Sequence, residues 1–384
     1  MKKLMTAFAA GAVALASQGL AQTQGVSDDE VIIGSVNDLS GIFAAVGVPA
    51  VNGANMKFDE VNAAGGVHGR KIRFVVEDNG YQIPRAMQGY NKLLNKDKVF
   101  AMLLSLGTPM NIAGFKLLDP KGIPNIGPLS AAQQMLQEPI DNKFVGFSSY
   151  WDQVQVGVKY LAAEFDAKEI CTMYIPSDFG KEIAESTKDV TAALGLTLGG
   201  ETTHKPDELD FVGSLTKLKA GGCDIVTMAL GVRQGITVVG TAKKLGWTDV
   251  KFMNTSAGFL EPVAMVPGGV TDGLYASSGW EDLYARAAEP VPGKFIADYK
   301  AKYDQPASGF AMLGYSAADT LVRALEAAGP DLTQENFIAA MESLNFEDEL
   351  TGSNVTYGPE DHQGVDDVVI SVVEGGGWKT IARQ

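Results

Sequence analysis

The chain has 384 residues, and 46% of them are hydrophobic, which is enough for the cores of two domains and excludes a disordered chain. It carries 31 basic and 46 acidic side chains, a formal net charge of −15. Nucleic-acid binding depends on basic patches, so this acidic balance argues against that class of function. The charge does not identify a function by itself, because surface acidity mostly serves solubility.

The first 21 residues have the pattern of a secretory signal peptide. Lys2 and Lys3 precede an apolar stretch over residues 4–15, and small residues lead to a predicted cleavage site after Ala21. This stretch is too short to span a bilayer, and no other segment of the sequence has enough continuous apolar residues to do so. No cysteine stands at the cleavage point, so a lipid anchor is not expected. We therefore expect an exported protein of a Gram-negative periplasm.

Strand and helix patterns alternate in two series after residue 26, and a mixed tail follows. In the first series, strands are predicted over residues 31–36, 71–77, 99–104, 123–126 and 144–147. Helices are predicted over 49–63 and 84–95, and a third helix between the strands over 99–104 and 123–126. In the second series, helices are predicted over 152–165, 181–194 and 211–220, and a fourth helix is predicted to run from the loop over 231–234 to about residue 245. Strands are predicted over 169–175, 196–198, 224–230, 251–253 and 274–276. In the tail, helices are predicted over 295–303, 310–328 and 336–344, and strands over 355–357, 368–373 and 378–381.

This alternation predicts an α/β fold with two doubly wound parallel-sheet lobes, joined by a hinge of three chain crossings. We predict that residues 26–148 plus 280–354 form lobe one and that residues 149–279 plus 355–384 form lobe two. A hinge beside a cleft is how proteins close around a ligand.

Two small polar loops follow central strands of the first series. The first contains Ser105 and Thr108, and the second contains Leu129 and Ser130. The carboxyl ends of parallel strands meet at one edge of a sheet, where open α/β sheets bind ligands. Hydroxyl groups and helix-start amides suit a carboxylate or another small anion. The alternative, that Thr108 and Ser130 only cap helices, stays open.

Five segments, in order, are typical of one family: IGSVNDLSG, VNAAGGVHGRKI, EDNGYQIPRAMQGYNKLL, LGTPMNIAGFKLLDPKGIPNIGP and YIPSDFGKEIAES. With them, essentially the whole mature chain resembles the periplasmic branched-chain amino acid-binding family, the type I solute-binding proteins of ABC importers. The resemblance implies a venus-flytrap fold that binds a small molecule between its lobes. It also implies delivery of that ligand to an ABC permease and ATPase complex in the inner membrane, and we expect a monomer.

The resemblance also implies roles for individual residues. The hydroxyl of Thr108 and the loop with Leu129 and Ser130 would bind the ligand carboxylate, and Phe179 would cover the ligand. The family's second hydroxyl position falls on Ala131, one residue after Ser130, so this part of the match is partial.

Two departures from the family concern the other lobe. The loop with Asn254 and Ser256 lacks the acidic residue that pairs with a ligand ammonium in the family, and Glu261 is expected to begin the next helix. Gly231 stands at a position that is often aromatic, and Arg233 follows it. An unpaired buried ammonium is costly, whereas an arginine is a natural partner for a carboxylate.

We therefore predict a carboxylate without an α-amine, or a dicarboxylate, and we place Arg233, Asn254 and Ser256 at the site. Asp38 or Asp78 could still supply a negative charge, which keeps an amino acid open. Arg233 could equally be a solvated residue at a helix start.

Aromatic side chains beside the predicted cleft could form its walls, as a hydrophobic ligand requires. We favour Tyr81 and Tyr150 over Phe43 and Trp280 for this role, although each of them could instead pack the core or the hinge.

The two cysteines, Cys171 and Cys223, each open an apolar run. If those strands are parallel neighbours, a disulfide is possible in an oxidising compartment. Two separate buried thiols are the alternative.

Enzyme signatures are weak in this chain. No dinucleotide or phosphate loop occurs, and the three histidines have no evident serine or cysteine partner. Their spacing does not suggest a metal site either. We expect no catalysis, metal or cofactor. A sensory module of the same fold, which passes its ligand-bound form to a signalling receptor, is the alternative to transport.

Overall fold

The computed structural model describes residues 23–384, and the predicted signal peptide lies outside this range. Two sheets organise the described residues, one of five strands and one of seven, and a third pairing joins two short strands. Among the described helices, none combines the length and the apolar character that a membrane crossing needs.

The first sheet contains the early strands of the chain. These are β1 (Glu30–Asn37), β2 (Lys71–Asp78), β3 (Ala101–Leu103), β4 (Asn125–Ile126) and β5 (Lys143–Phe144). They are all parallel, in the order β2-β1-β3-β4-β5. Every residue of β3 is buried, as a central strand of a parallel sheet requires. The predicted strand over 99–104 is longer than β3, partly because Leu104 turns to a φ of 58°.

Three helices connect the strands of this sheet. They are α1 (Ala44–Ala63), α2 (Ile83–Lys92) and α3 (Thr108–Leu118). The prediction placed Pro49 near the first turn of α1, but the helix begins at Ala44 and Pro49 lies inside it. The loop after β1 is therefore shorter than predicted, and this brings Phe43 directly before the helix.

The second sheet is mixed. Its parallel strands are β6 (Glu169–Tyr174), β7 (Thr197–Thr203), β8 (Ile225–Ala229), β9 (Lys251–Asn254) and β10 (Tyr275–Ser278). The helices that accompany them are α4 (Tyr150–Phe165), α5 (Asp178–Ala193), α6 (Val212–Ala220), α7 (Val232–Lys244) and α8 (Glu261–Ala264). Late in the chain come β11 (Asn345–Asp348), β12 (Ser353–Thr356), β13 (Val369–Glu374) and β14 (Gly377–Arg383).

The strand order of the second sheet is β14-β13-β10-β9-β8-β6-β7, and only β13 and β14 run antiparallel to their neighbours. The terminal strands thus close this sheet, as the hairpin pattern near the end of the sequence suggested. β11 was not predicted, and it pairs with β12 outside both large sheets.

The tail helices α9 (Pro290–Tyr303), α10 (Gly309–Ala328) and α11 (Gln334–Glu342) return the chain to the first sheet. There α10 packs directly on α1 at two glycines. A Cβ at Gly53 would lie 1.9 Å from the carbonyl oxygen of Ala311, and one at Gly314 would lie 1.9 Å from that of Ala50. Only glycine allows the two helix backbones to approach this closely.

Three chain crossings lie side by side between the sheets. A Cβ at Gly279 would lie 2.7 Å from the Cβ of Phe147, so the first two crossings touch. The amide of Val145 donates to the carbonyl of His362 over 2.8 Å, which adds the third crossing. The third crossing therefore contacts β5, although the predicted boundary assigns residues 355–384 to lobe two. The division of the chain into lobes stays a prediction.

The two cysteines form a disulfide, with their Cα atoms 5.8 Å apart. Cys171 lies in β6 and Cys223 lies just before β8, which is the parallel neighbour of β6. This resolves the two alternatives that the sequence left open. A disulfide is the chemistry of an oxidising compartment.

Candidate ligand-binding site

A cavity lies where the carboxyl ends of the two sheets face each other. Loops from both sheets, the chain crossings and the start of α10 form its walls. The lining residues are Phe43, Val46, Tyr81, Leu106, Gly107, Thr108, Leu129, Ser130, Phe147, Tyr150, Phe179, Ser256, Ala257, Trp280 and Phe310. These side chains are mostly aromatic or aliphatic, with a few hydroxyl groups, and this composition suits a small and mainly apolar molecule.

A pair of hydroxyl groups forms the polar part of the cavity. Oγ1 of Thr108 and Oγ of Ser130 are 2.7 Å apart, and both residues are only 1% exposed. Thr108 is the first residue of α3, so its amide belongs to a helix turn whose N–H groups have no carbonyl partner within the helix. Two hydroxyl donors beside a helix start are well placed to bind an anion.

The backbone around this pair holds the two loops together. The amide of Gly107 donates to the carbonyl of Leu129, and the amide of Leu129 donates to the carbonyl of Ser105 over 2.9 Å. Gly107 has a φ of 104°, and a Cβ there would lie 3.2 Å from the ring of Tyr81. Glycine is required at this position, because a side chain would strain the backbone and crowd the cavity.

Ser105 was predicted at the site, but the structure corrects this placement. It is fully buried below the loop, where its Oγ accepts a hydrogen bond from the amide of Val36. Its carbonyl accepts one from Nδ2 of Asn111 over 2.9 Å. Ser105 therefore shapes the loop and does not line the cavity.

Aromatic rings from both sheets meet across the cavity. The rings of Phe43 and Tyr81, from loops of the first sheet, are 4.7 Å apart. Phe179, at the start of α5, lies 6.0 Å from Phe43 and 5.3 Å from Tyr150. Burial raises the pKa of Tyr81 and of Tyr150 above the usual tyrosine value. The structure thus brings Tyr81, Tyr150 and Phe179 to the cavity, and their contact with a ligand stays a prediction.

Two lining aromatics escaped the sequence argument. Phe147 follows β5 at the first chain crossing, and its ring lies 5.2 Å from that of Trp280. Phe310 stands at the start of α10 and lies 5.8 Å from Trp280. The position of Phe147 directly after a strand could have identified it. No local signal could have identified Phe310, because its place depends on the return of α10 to the first sheet.

The two aspartates that could have met an ammonium are occupied by their own loops. The carboxylate of Asp38 accepts hydrogen bonds from the amides of Gly41 and Phe43. Asp78 accepts from the amides of Leu39 and Gly80 and pairs with Arg85 at 2.6 Å. Although burial opposes its ionisation, these hydrogen bonds and the arginine lower the pKa of Asp78 to about 2.

Glu261 is the first acidic residue after β9, and it is not among the residues that line the cavity. Its Oε1 accepts a hydrogen bond from the amide of Gly309, the first residue of α10. Its Oε2 has no hydrogen-bond partner among the described residues. Burial, with the nearby charge of Asp282, raises the pKa of Glu261 to about 8.

Two more predicted site residues are not at the cavity. Arg233 is exposed as the second residue of α7, so its guanidinium has no reason to leave water. Asn254 is buried at the end of β9, where a Cβ at Gly258 would lie 2.5 Å from its side chain. It therefore packs under the loop, while its neighbour Ser256 does line the cavity.

Among residues 23–384, no three histidine, cysteine, aspartate or glutamate side chains lie close enough together to hold a metal ion.

Comparisons with known proteins agree with this geometry. A family model described as "Periplasmic binding protein" matches residues 30–377. The "Leu/Ile/Val-binding protein homolog 8" of Brucella abortus (strain 2308) is 25% identical over 345 residues, which cover 86% of this chain and 84% of that protein.

Two solved structures have the same fold. The fatty acid ABC transporter substrate-binding protein from Thermomonospora curvata matches with a TM-score of 0.84 and 24% identity, over 95% of this chain and 94% of that one. A solute-binding protein of an ABC transporter from R. palustris, in complex with benzoate, matches with a TM-score of 0.82 and 18% identity, over 92% and 96% of the chains.

Proposed function

The chain belongs to the periplasmic binding protein family, and we propose that it captures a small organic carboxylate without an α-amine for an ABC uptake system. In this proposal, the ligand binds between the two sheets and is then delivered to a membrane permease. The observation that carries the proposal is the buried pair of hydroxyl groups at the start of α3, in a cavity whose other lining residues are mainly apolar or aromatic.

The charges around the cavity favour a carboxylate over an amino acid. An ammonium group would need a buried partner of opposite charge, because an unpaired one is costly. Of the described residues that line the cavity, none is an aspartate or a glutamate. The carboxylates of Asp38, Asp78 and Glu261 already accept hydrogen bonds from backbone amides of the chain itself.

The hydroxyl pair gives an anion the donors that it needs. Thr108 and Ser130 now satisfy each other, and each could instead donate to one carboxylate oxygen. Hydrogen bonds to an ionised acceptor are stronger than those between neutral groups, so this exchange favours binding. The first-turn amides of α3 add favourable partial charge.

Closure of the two halves around the ligand completes the proposed mechanism. The hydroxyl pair belongs to the first sheet, whereas Phe179 and Ser256 belong to segments of the second. A ligand that contacts both groups stabilises the closed form over an open one by the free energy of the added contacts. The lining holds no histidine, cysteine or lysine among its described residues, which supports binding without catalysis.

The names of the compared proteins point to two classes of ligand, carboxylic acids without an amine and branched-chain amino acids. The R. palustris protein of this fold was solved in complex with benzoate, and the Thermomonospora curvata protein is named for fatty acids. The Brucella abortus relative is named for leucine, isoleucine and valine. The cavity's lack of an acidic side chain among its described lining residues is what favours the first class for this chain.

Isothermal titration calorimetry with matched ligand pairs tests the proposal. The pairs are 3-phenylpropionate with phenylalanine and 4-methylpentanoate with leucine, which differ by the amine alone, and benzoate with benzamide, which differ by the charge. We expect each amine-free acid to bind and its partner to bind at least tenfold more weakly. Tighter binding of leucine or phenylalanine than of the amine-free acids would contradict the proposal.

A further inference from the structure

A second cavity lies directly beside the ligand cavity. The two cavities share three lining residues, Leu129, Phe147 and Trp280. The second cavity therefore begins where the first one ends, behind the aromatic wall formed at the chain crossings.

The walls of the second cavity are mainly apolar. Leu104 and Ile126 come from the ends of β3 and β4, and Leu313 comes from α10. Val355 comes from β12, and Val365 comes from the third crossing. These elements bury the cavity between the first sheet, α10 and the hinge segments. An apolar space of this kind, adjacent to a binding site, is suited to a hydrocarbon chain.

Several polar residues of this cavity are already satisfied by the chain. Oδ1 of Asp348 accepts hydrogen bonds from the amides of Leu350 and Thr351. The hydroxyl of Tyr357 donates to the carbonyl of Val145 over 3.1 Å. Two other lining residues, Ser316 and Trp280, have a buried polar atom (Oγ and Nε1) with no hydrogen-bond partner among the described residues. The cavity therefore offers mostly apolar contact, with two unpaired polar atoms in its lining residues.

Gly146 marks empty space in the wall of the second cavity. A Cβ at Gly146 would have no atom within 4 Å, although the residue lies next to Phe147 at the first crossing. The space is therefore available to a ligand, and it is also available to a larger side chain introduced at this position.

We infer that the second cavity holds the apolar tail of an extended carboxylate whose head binds at Thr108 and Ser130. This inference rests on the proposed function and names its ligand class as acids with an aliphatic chain of medium length. The head fills the first cavity, and the tail passes Leu129, Phe147 and Trp280 into the second one.

The test is the affinity for straight-chain carboxylates from butanoate to dodecanoate, measured by calorimetry. Each methylene that enters the second cavity should strengthen binding by up to about fourfold, the equivalent of a buried CH₂ group. We therefore expect affinity to rise with length beyond the acids that fit the first cavity alone. A flat profile beyond the short acids would overturn the inference and leave the proposed function standing.

The variant Gly146→Leu should fill the second cavity and remove the rise with chain length, while short acids keep their affinity. Gly213→Leu is the matched control, because Gly213 is exposed and a Cβ there also meets no atom. Ala317→Leu, on the α10 wall, provides a second filling variant if the hinge does not tolerate the first.

The remaining outcomes separate the two proposals. The same rise with length in both filling variants would overturn the inference, as would loss of the short acids together with the long ones in both. No binding of any acid by the unmodified protein would overturn the proposed function and the inference together.

Discussion

The two sheet edges that form the cavity offer different chemistry to a ligand. The first sheet contributes the hydroxyls of Thr108 and Ser130 at a helix start, and it keeps its aspartates within their own loops. The second sheet contributes Phe179 as an aromatic cover, and its acidic residue Glu261 is bound to the start of α10. In the proposed function, one edge would therefore hold the anionic head of the ligand while the other would exclude water.

The largest effect on affinity should come from the second edge. Phe179→Ala removes a ring that contacts both Phe43 and Tyr150 across the cavity. Because such a central aromatic carries much of the energy of a closed interface, we expect benzoate or 3-phenylpropionate to lose about 2–4 kcal/mol of binding free energy. Calorimetry on the folded variant measures this loss.

Phe165→Ala is the control for this substitution. Phe165 is the last residue of α4, at the end of the helix opposite to Tyr150. Its side chain is 41% exposed, and its ring lies 5.9 Å from that of Tyr275. An equal loss of affinity in both variants would mean that the effect is not local to the cavity. The contrast between the two edges would then have no support from Phe179.

Glu261 gives the second test, on stability against pH. Burial raises its pKa from 4.5 to about 8, so the stability that its neutral form contributes is fully present below about pH 4.5 and is lost as the pH rises through about 8. Stability should therefore fall between pH 5 and pH 8. Glu261→Gln should reduce that fall by up to about 3 kcal/mol, because glutamine does not ionise. Denaturant unfolding at both pH values gives the comparison.

The control for Glu261 is Glu335→Gln, which changes an exposed glutamate in the first turn of α11. It should leave the pH dependence of stability unchanged. We also expect Glu261→Gln to leave carboxylate affinity within about 0.5 kcal/mol of the unmodified protein, the usual range for a substitution outside a critical contact. A large change in affinity would instead place this acid at the ligand and break the contrast between the edges.

The hydroxyl pair of the first edge gives the third test. Thr108→Ala should weaken binding of an amine-free acid by about 1–3 kcal/mol, the usual cost of leaving a buried acceptor without its donor. Thr216→Ala, on the exposed face of α6, is the matched control. Unchanged affinity in calorimetry for Thr108→Ala would remove this hydroxyl from the site and with it the main support for an anionic head.

The fold was predictable from the sequence because it depends on local patterns. The alternation of strands and helices predicted two doubly wound parallel sheets, and the structure and the family match confirm that fold. Thr108 and Ser130 could be placed at the cavity for the same reason, since each lies a few residues after a strand that ends at this edge of the sheet.

The rest of the site depends on contacts that the local sequence does not encode. Phe310 reaches the cavity only because α10 packs on α1, more than 200 residues earlier in the chain. Asn254 and Ser256 belong to the same loop, and only the backbone decides which of them lines the cavity. The sequence also could not show that the carboxyl group of Glu261 is already hydrogen-bonded, because its partner is the amide of Gly309 at the start of α10, far along the chain.

The smallest effect on affinity should come from a substitution of Arg233. This test is informative because a larger effect would contradict the contrast between the two edges. The residue is exposed at the start of α7 and does not line either cavity. Arg233→Ala should therefore change carboxylate affinity by less than about 0.5 kcal/mol, as expected for a solvated surface side chain. If calorimetry found a tenfold loss instead, the second edge would also bind the anion. The two edges would then share the head of the ligand, and a dicarboxylate would explain the cavity better than an acid with a single charge.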